Sequence, residues 1–275
     1  MDLEFVKDCE RSIIKKFRKE IWSKFVKGLQ EYDMIEEGDK ICVTISGGKD
    51  SLIMAKLFQE LQRHGNKKFD LVFIAMNPGF NKENLALLKD NCEMLNIPVI
   101  VKDSVVFEVA NKLSPTSPCY MCARMRRGFL YQQAKDHGCN KMALGHHFND
   151  VIETTMMNVL YAGSFKTMVP KVQAENFEEM TLIRPMYFIK EDDIRRYMRH
   201  HGITTMACGC EVASGTIVSK RARVKELIKE LKDEFDVVDQ NIFKSCENIY
   251  IEACLGYKTK DEVVDFNKLY ERGKK

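Results

Sequence analysis

The sequence predicts an α/β protein, a mostly parallel sheet with helices on both faces, framed by N- and C-terminal helical elements. Three observations carry that expectation. From Lys40 onward, short β-branched or apolar runs alternate with longer stretches of three- and four-residue apolar spacing. The first run opens into a glycine-rich turn followed by a helix. Over 275 residues, 45% are hydrophobic and 30% charged, enough to bury a core of normal size without staples.

Taken in order, residues 4–31 set Phe5, Ile13, Ile14, Phe17, Ile21, Trp22, Phe25 and Leu29 on one helical stripe. Eight basic residues between Lys7 and Lys27 oppose three acids there. The face they form reads equally as an ordinary solvated face or as a nucleic-acid contact. Ile41–Ile45 is the first strand, and a helix carrying Leu52, Ile53, Ala55, Leu57, Phe58 and Leu61 follows it. Phe69–Met76 and Pro98–Val101 are the next strands, with a helix over Asn84–Leu95 between them. A helix over Cys119–His137 leads to a fourth strand, Lys141–Gly145, then a helix over Asp150–Tyr161. Leu182–Pro185 reads as a fifth strand and Glu191–His201 as another helix. The last forty residues are charged and helix-prone and carry no motif. These patterns divide the chain into a basic amphipathic helix over 1–35, a nucleotide-binding domain over 36–205 and a late cysteine segment with terminal helices over 206–275.

Composition excludes several classes. The formal charge is only +3, from 43 basic and 40 acidic residues, so any polyanion contact must be a local patch. The longest stretch free of Asp, Glu, Lys and Arg is Thr154–Phe165, twelve residues, short of the roughly 20 that span a bilayer. The N-terminus lacks a basic region followed by an apolar run, so a cytoplasmic, membrane-free protein is expected. In such a reducing compartment, ten cysteines point to metal binding, redox chemistry or plain burial rather than to disulfides.

Ser46-Gly47-Gly48-Lys49-Asp50-Ser51 lies where the first strand meets its helix, the carboxyl edge at which open α/β sheets place ligands. Two glycines admit a phosphate close to the backbone, Ser46 and Ser51 offer hydroxyls, and the helix N-terminus offers free N–H groups. A phosphate cradle results. It is not a Walker loop, because Val43 stands where a glycine is required and Asp50 where Ser or Thr is required.

Cys119-Tyr-Met-Cys122 spaces two thiols for one metal centre, with Cys208-Gly-Cys210 as the donor of a further ligand. The spacing by itself admits a redox pair, half a zinc site or half an iron–sulfur site. Cys9, Cys42, Cys92, Cys139, Cys246 and Cys254 are isolated and expected to be packed or surface thiols. Gly145-His146-His147-Phe148-Asn149-Asp150 follows the fourth strand at the same edge. Adjacent histidines point apart, which favours nucleotide contacts or packing over a shared metal, and Asp150 reads as a helix cap or a magnesium-linked carboxylate. Arg124, Arg126, Arg127, Lys220, Arg221 and Arg223 concentrate cations near the cysteine segments and are candidate phosphate contacts.

These pieces, in this order, resemble the TtcA-type tRNA 2-thiocytidine synthetase family of PP-loop sulfurtransferases, N-type ATP pyrophosphatases, from about Met34 to Leu231. The resemblance rests on Met34-Ile-Glu-Glu-Gly-Asp39, the Ser46–Ser51 loop, Pro118-Cys-Tyr-Met-Cys-Ala-Arg-Met-Arg-Arg-Gly-Phe-Leu-Tyr131, Ala143-Leu-Gly-His-His147, Ile183-Arg-Pro-Met186 and the late cysteines. It implies the PP-loop ATPase fold, like that of adenine nucleotide alpha hydrolases, and ATP-dependent thiolation at C2 of a cytidine through an adenylated intermediate. It further implies ATP across Ser46–Ser51 with Met76, Gly145 and His146 completing the site, and Mg2+ near Asp50 and Asp150. Cys119, Cys122 and Cys208, with Cys210 as the alternative, would hold a [4Fe-4S] cluster that leaves one iron free to carry sulfur. Partners implied are tRNA and a sulfur-donor system of unspecified identity, with a homodimer as one arrangement. Two departures stand out: Ala207-Cys208-Gly-Cys210 is one residue shorter than the family's Pro-Cys-x-x-Cys, and Asn149 occupies a position usually held by Asp. Competing readings are an adenylating amide or amidine ligase on the same loop, lysidine-synthetase-like, and a zinc-stabilised RNA-binding protein.

Overall fold

The computed structural model describes residues 2–106, 109, 118–174, 177–206 and 220–273, the side chains of 118–123 and 178 excepted. The chain divides into two compact units, Met1–Val151 with Met168–Val218, and Ile152–Thr167 with Ser219–Lys275.

The first unit is built on a six-stranded sheet: β1 (Lys40–Ile45), β2 (Asp70–Asn77), β3 (Val99–Asp103), β4 (Lys141–Ala143), β5 (Lys171–Ala174) and β6 (Phe177–Ile183). Their order is β3-β2-β1-β4-β6-β5, parallel throughout except for the antiparallel β5–β6 pair. The chain thus grows from β1 in one direction through β2 and β3, then returns to place β4 on β1's other side. The crevice between the carboxyl ends of β1 and β4 is the topological switch point, where open α/β sheets bind ligands.

Alternation along β1 divides the core. Ile41, Val43 and Ile45 join a cluster with α1 (Leu3–Ile14), α2 (Ser23–Glu31), α3 (Lys49–His64), α4 (Lys82–Met94) and the late helix Glu191–His200. Cys42 belongs to the opposite face with Met142, Leu182, and Tyr131 and Ala134 of α5 (Pro118–Asp136). Helices therefore cover both faces, as the near-continuous apolar strands require.

The N-terminal stripe is not one regular helix. Cys9, Ile13, Phe17, Ile21, Phe25 and Leu29 recur every fourth residue and are all buried. On a helix of 3.6 residues per turn a four-residue repeat drifts by about 40° at each step. The chain removes the drift with widened turns: Phe17 N–H bonds to the Ser12 carbonyl at 2.8 Å, and Arg18–Trp22 is a π-helical segment. Part of the basic face is occupied within the unit, Lys24 with Asp193 and Lys16 with His200.

The fifth predicted strand begins earlier than expected and ends at Ile183, one residue before Arg184-Pro185, because proline has no N–H for the ladder. Its edge partner β5 lacks an apolar alternation and was not expected from the sequence. Helix α6 (Phe148–Ala162) leads into the second unit, which contains α8 (Lys220–Glu234) and α9 (Val238–Ser245), with α7 being Glu191–His200 of the first unit. A hairpin of β7 (Gly256–Lys258) and β8 (Val263–Asp265) then precedes α10 (Phe266–Gly273), where helix alone was anticipated. Among the described residues, no helix is long and apolar enough to cross a membrane.

Candidate active site

The loop after β1 is folded by its own serines. Ser51 Oγ accepts the Ser46 N–H at 3.1 Å and donates to the Gly48 carbonyl at 2.9 Å, while Ser46 Oγ lies 3.4 Å from the Gly48 N–H. Ser51 therefore serves first as the internal brace of the turn, a role additional to the expected offer of a hydroxyl to ligand. Gly47 has φ +81°, a conformation that favours glycine, and a Cβ there would collide with the Met206 sulfur. Met206 also donates its N–H to the Gly47 carbonyl at 3.2 Å. The chain segment that leads to the late cysteines is thus fastened to the phosphate loop.

The β4 turn closes the other side of the crevice. A Cβ at Gly145 would stand 3.3 Å from the Asp50 carbonyl carbon and 3.4 Å from the Ser51 nitrogen, so only a glycine lets this turn pack against the start of α3 without displacement. His147, expected to be packing or nucleotide contact without a defined role, lies between the two carboxylates singled out by the sequence. Its backbone N–H donates to Asp150 Oδ2 at 2.9 Å, its Nδ1 is 3.4 Å from that oxygen, and its Nε2 is 3.7 Å from Asp50 Oδ1. Asp50 Oδ1 is buried without a hydrogen-bond partner. A buried carboxylate oxygen in that state carries a desolvation cost that a cation would relieve.

Between these turns lies a cleft of about 400 Å³. Thr44, Ile45, Ser46, Asp50 and Ser51 line one side, Gly145, His146 and Asp150 another. Met76, at the end of β2, and Arg126, Arg127 and Leu130 of α5 complete it. The structure therefore brings Ser46, Asp50, Ser51, Met76, Gly145, His146 and Asp150 together with two of the candidate arginines. Gly47, Gly48 and Lys49 continue the same turn. Cys119 and Cys122 lie in the first turns of α5, Cys122 one helical turn before Arg126; their side chains, and Cys208 and Cys210 altogether, lie outside what is described. Among the described residues no group of three or more His, Cys, Asp and Glu is arranged to hold a metal. Lys220, Arg221 and Arg223 belong to the second unit, where Arg221 pairs with Glu153 at 2.8 Å and Arg223 with Glu226 and Glu230. Arg124 is exposed on α5.

Three polar residues of the site went unassigned in the sequence reading. Arg184, just beyond β6 at the same sheet edge, donates from Nη1 to the Val169 carbonyl but keeps a buried Nε with no partner. Burial, and then the like charge of Arg127, pull its pKa down to about 10. Glu191 and Asn149 reach the loop indirectly: Glu191 Oε1 is 3.0 Å from Lys49 Nζ, and Asn149 Oδ1 accepts the Glu191 N–H at 2.9 Å. Burial opposes the charge on Lys49, yet the carboxylates of Asp50 and Glu191 outweigh it and hold its pKa above the usual lysine value. The Ile183-Arg-Pro-Met186 stretch was the one local signal for Arg184. Asn149 stood out only as a departure from a usual Asp, and Glu191 carries no local signal, since its partner Lys49 lies far away in the chain.

A braced glycine turn at the switch point, aimed at a cleft with two arginines and two carboxylates, defines a nucleotide-dependent α/β protein of the PP-loop class. The PP-loop domain family matches residues 16–207, and the chain belongs to it. Within that class it belongs to the tRNA-cytidine(32) 2-sulfurtransferase family. The protein of that name from Pelobacter propionicus is 37% identical over 226 residues, covering 82% of this chain and 83% of its own length. That from Geobacter metallireducens is 34% identical, covering 81% and 87%. The structure of the U34-tRNA thiolase NcsA from Methanococcus maripaludis with its [4Fe-4S] cluster shares the fold, with a TM-score of 0.67 and 21% identity over 91% of this chain and 83% of that one.

Proposed function

We propose that the chain is an ATP-dependent tRNA sulfurtransferase that replaces the C2 oxygen of a cytidine by sulfur. One observation carries the reading: the phosphate loop shares its cleft with Arg126 and Arg127, on the helix that begins with Cys119 and Cys122. Met206, fastened to Gly47 of the loop, supports it from the other side, because Cys208 follows it two residues later in the sequence.

ATP would place its phosphates against the N–H groups of Gly48 and the first turn of α3, where the helix dipole favours anions. The cytidine C2 oxygen attacks the α-phosphorus, the bond from that phosphorus to the α,β-bridging oxygen breaks, and pyrophosphate departs. Arg126 and Arg127 stand where negative charge accumulates. A sulfur nucleophile then adds at C2, and the adenylated oxygen leaves as AMP. The base must be turned out of its stack to enter a cleft of this size.

Asp50 and Asp150 fit a magnesium ion: both are hard oxygen donors, and Asp50 Oδ1 has no other hydrogen bond. Bound there, the ion would neutralise charge on the departing pyrophosphate. Cys119, Cys122 and Cys208, or Cys210 in its place, fit a cluster by donor type, soft thiolates with the first pair at helical-neighbour spacing. A [4Fe-4S] cluster with three such ligands would supply an open iron position for the sulfur. A tRNA substrate supports a cytoplasmic location.

The test is anaerobic incubation with tRNA, ATP and sulfide, followed by nucleoside mass spectrometry and pyrophosphate assay. Thiocytidine formation with tRNA-dependent pyrophosphate release is expected. Neither product appearing in the presence of iron-loaded protein would overturn the reading. Iron content in single Cys→Ala variants identifies the ligands: loss is expected for Cys119, Cys122 and Cys208 and retention for Cys210, whereas stoichiometric zinc without iron counts against the cluster.

A further inference from the structure

We propose that Glu191 is the positioning residue of the phosphate-loop lysine and that Asn149 seats Glu191 for that task. The inference rests on the ATP-dependent reading above and adds two residues to it.

Lys49 is the first residue of α3 and belongs to the phosphate loop. Left alone, its four-carbon stem would carry the ammonium through many orientations. Two carboxylates restrain it, Asp50 Oδ2 and Glu191 Oε1, each 3.0 Å from Nζ. They differ in what else they must do. Asp50 lines the cleft, has its second oxygen buried without a hydrogen-bond partner, and is the group a nucleotide-bound cation would engage. Glu191 is buried, its Oε1 also accepts from Arg195 at 2.7 Å, and its backbone N–H is held by Asn149. When Asp50 turns to a cation, Glu191 is the carboxylate that still fixes the lysine.

The backbone explains how Glu191 comes to be there. Phe148 N–H bonds to the Ile189 carbonyl at 3.0 Å, and His147 pairs with Met186 in a parallel bridge. These contacts lay the β4 turn along the segment entering α7, and Asn149 Oδ1 then caps the first N–H of that helix. This assigns position 149 an acceptor role at a helix start. An amide oxygen meets it as well as a carboxylate does, so Asn in place of Asp costs the site no ligand, and it avoids a further negative charge beside Glu191.

The experiment measures equilibrium binding of a non-hydrolysable ATP analogue and tRNA-dependent pyrophosphate release. Variants are Glu191→Gln, Lys49→Met, their combination, Asn149→Asp and Asn149→Leu. Glu191→Gln is expected to lower kcat by about tenfold or more with KM for ATP changed by less than about threefold, the mark of an interaction used in the transition state. In the Lys49→Met background the same change should have no further effect. Asn149→Asp should retain kcat and Asn149→Leu should reproduce the Glu191→Gln loss. Losses that multiply in the double variant, or wild-type kcat in Glu191→Gln, overturn the proposal. If Glu191→Gln does not fold, Glu191→Asp keeps the charge and shortens the reach; full kcat there likewise overturns it. A wild-type protein that neither binds the analogue nor releases pyrophosphate defeats the ATP-dependent reading itself, an outcome distinct from a normal wild type with silent variants.

Discussion

At the amino edge of the parallel strands, Asp39 has each oxygen engaged. Oδ2 meets Lys141 Nζ at 2.7 Å and the Glu36 N–H at 2.6 Å, and Oδ1 accepts from Asn140 at 2.7 Å. At the carboxyl edge of the same strands, Asp50 leaves one buried oxygen unmatched and Arg184 one buried nitrogen. The contrast extends to the back of α3, where Lys56, 1% exposed, spends its three donors on Glu10, Gln59 and the Leu95 carbonyl at 2.6, 2.7 and 2.9 Å. Groups buried for the fold are closed off with protein partners. Groups buried for a ligand are left open, at a cost of about 1–3 kcal/mol each. Which kind a given Asp or Lys belongs to is decided by its unfilled hydrogen-bonding capacity, not by its burial.

The sharpest way to break this contrast is to exchange the fates of the two aspartates. Asp50→Ala should reduce pyrophosphate release by about 10²–10³-fold, the scale of losing a main electrostatic group in a transition state. Its thermal midpoint should stay at or above that of the parent protein. Asp39→Ala should do the reverse, leaving the buried Lys141 to the exposed Glu36 carboxylate alone and costing about 3 kcal/mol in urea unfolding. If Asp50→Ala unfolds more easily than Asp39→Ala, the contrast is wrong.

A second pair asks whether closure at the back of α3 is purely structural. Lys56→Met alone should leave Glu10 with Arg63 as its charged partner and destabilise by about 1–3 kcal/mol, and Lys56→Met with Glu10→Leu should recover part of the loss, Arg63 keeping Glu60. Chemical denaturation of single and double variants reads the coupling. Additive losses would mean that the two residues do not act as a pair.

Smaller effects are expected from the open arginines. Arg126→Glu with Arg127→Glu should weaken tRNA binding and flatten the log–log salt dependence by about two phosphate contacts. An unchanged salt slope would place the RNA elsewhere.

The smallest is a pH effect. The Asp39 and Glu10 carboxyls resist protonation in the folded chain: burial raises each pKa, but the Glu36 N–H with Lys141 and Asn140, and Arg63 with Lys56, outweigh it. Both end below their ordinary values, so their contribution is complete above about pH 4–5 and is lost as pH falls through the folded values. Thermal midpoints should therefore decline more gently in acid for Asp39→Asn than for the parent. Parallel profiles would remove Asp39 from the account.

Much of this was legible because it is local. Strand and helix alternation and the Ser46–Ser51 turn follow from short stretches whose neighbours in sequence are neighbours in space, whereas Met76, Gly145 and His146 entered only through the family resemblance. What the pattern missed is non-local or compensated. β5 is a short edge strand, largely exposed or partly exposed over Lys171, Val172 and Gln173, so no alternation marks it. His147 gains its position from packing against two turns, and Glu191 meets Lys49 only because β4 was inserted beside β1. Arg221 pairs with Glu153, and Arg223 with Glu226 and Glu230, partners that a tally of basic residues does not show. Charge counts carry no record of internal pairing.

The fourfold stripe of the first thirty residues sets a rule for mutation by length. A deletion in the widened stretch around Phe17 would only take up its extra residue, whereas removing one residue from the regularly wound turns of α2 would rotate everything before it by about 100° relative to the core. Cys9 and Ile13 would swing out while Arg11 or Ser12 swung in, and Glu10 would leave Lys56. Substitutions on the exposed side of these helices are cheap by comparison. The N-terminal segment can therefore drift in composition across its surface while the residue count of its regular turns stays fixed, a constraint on insertions and deletions that no single side chain reveals.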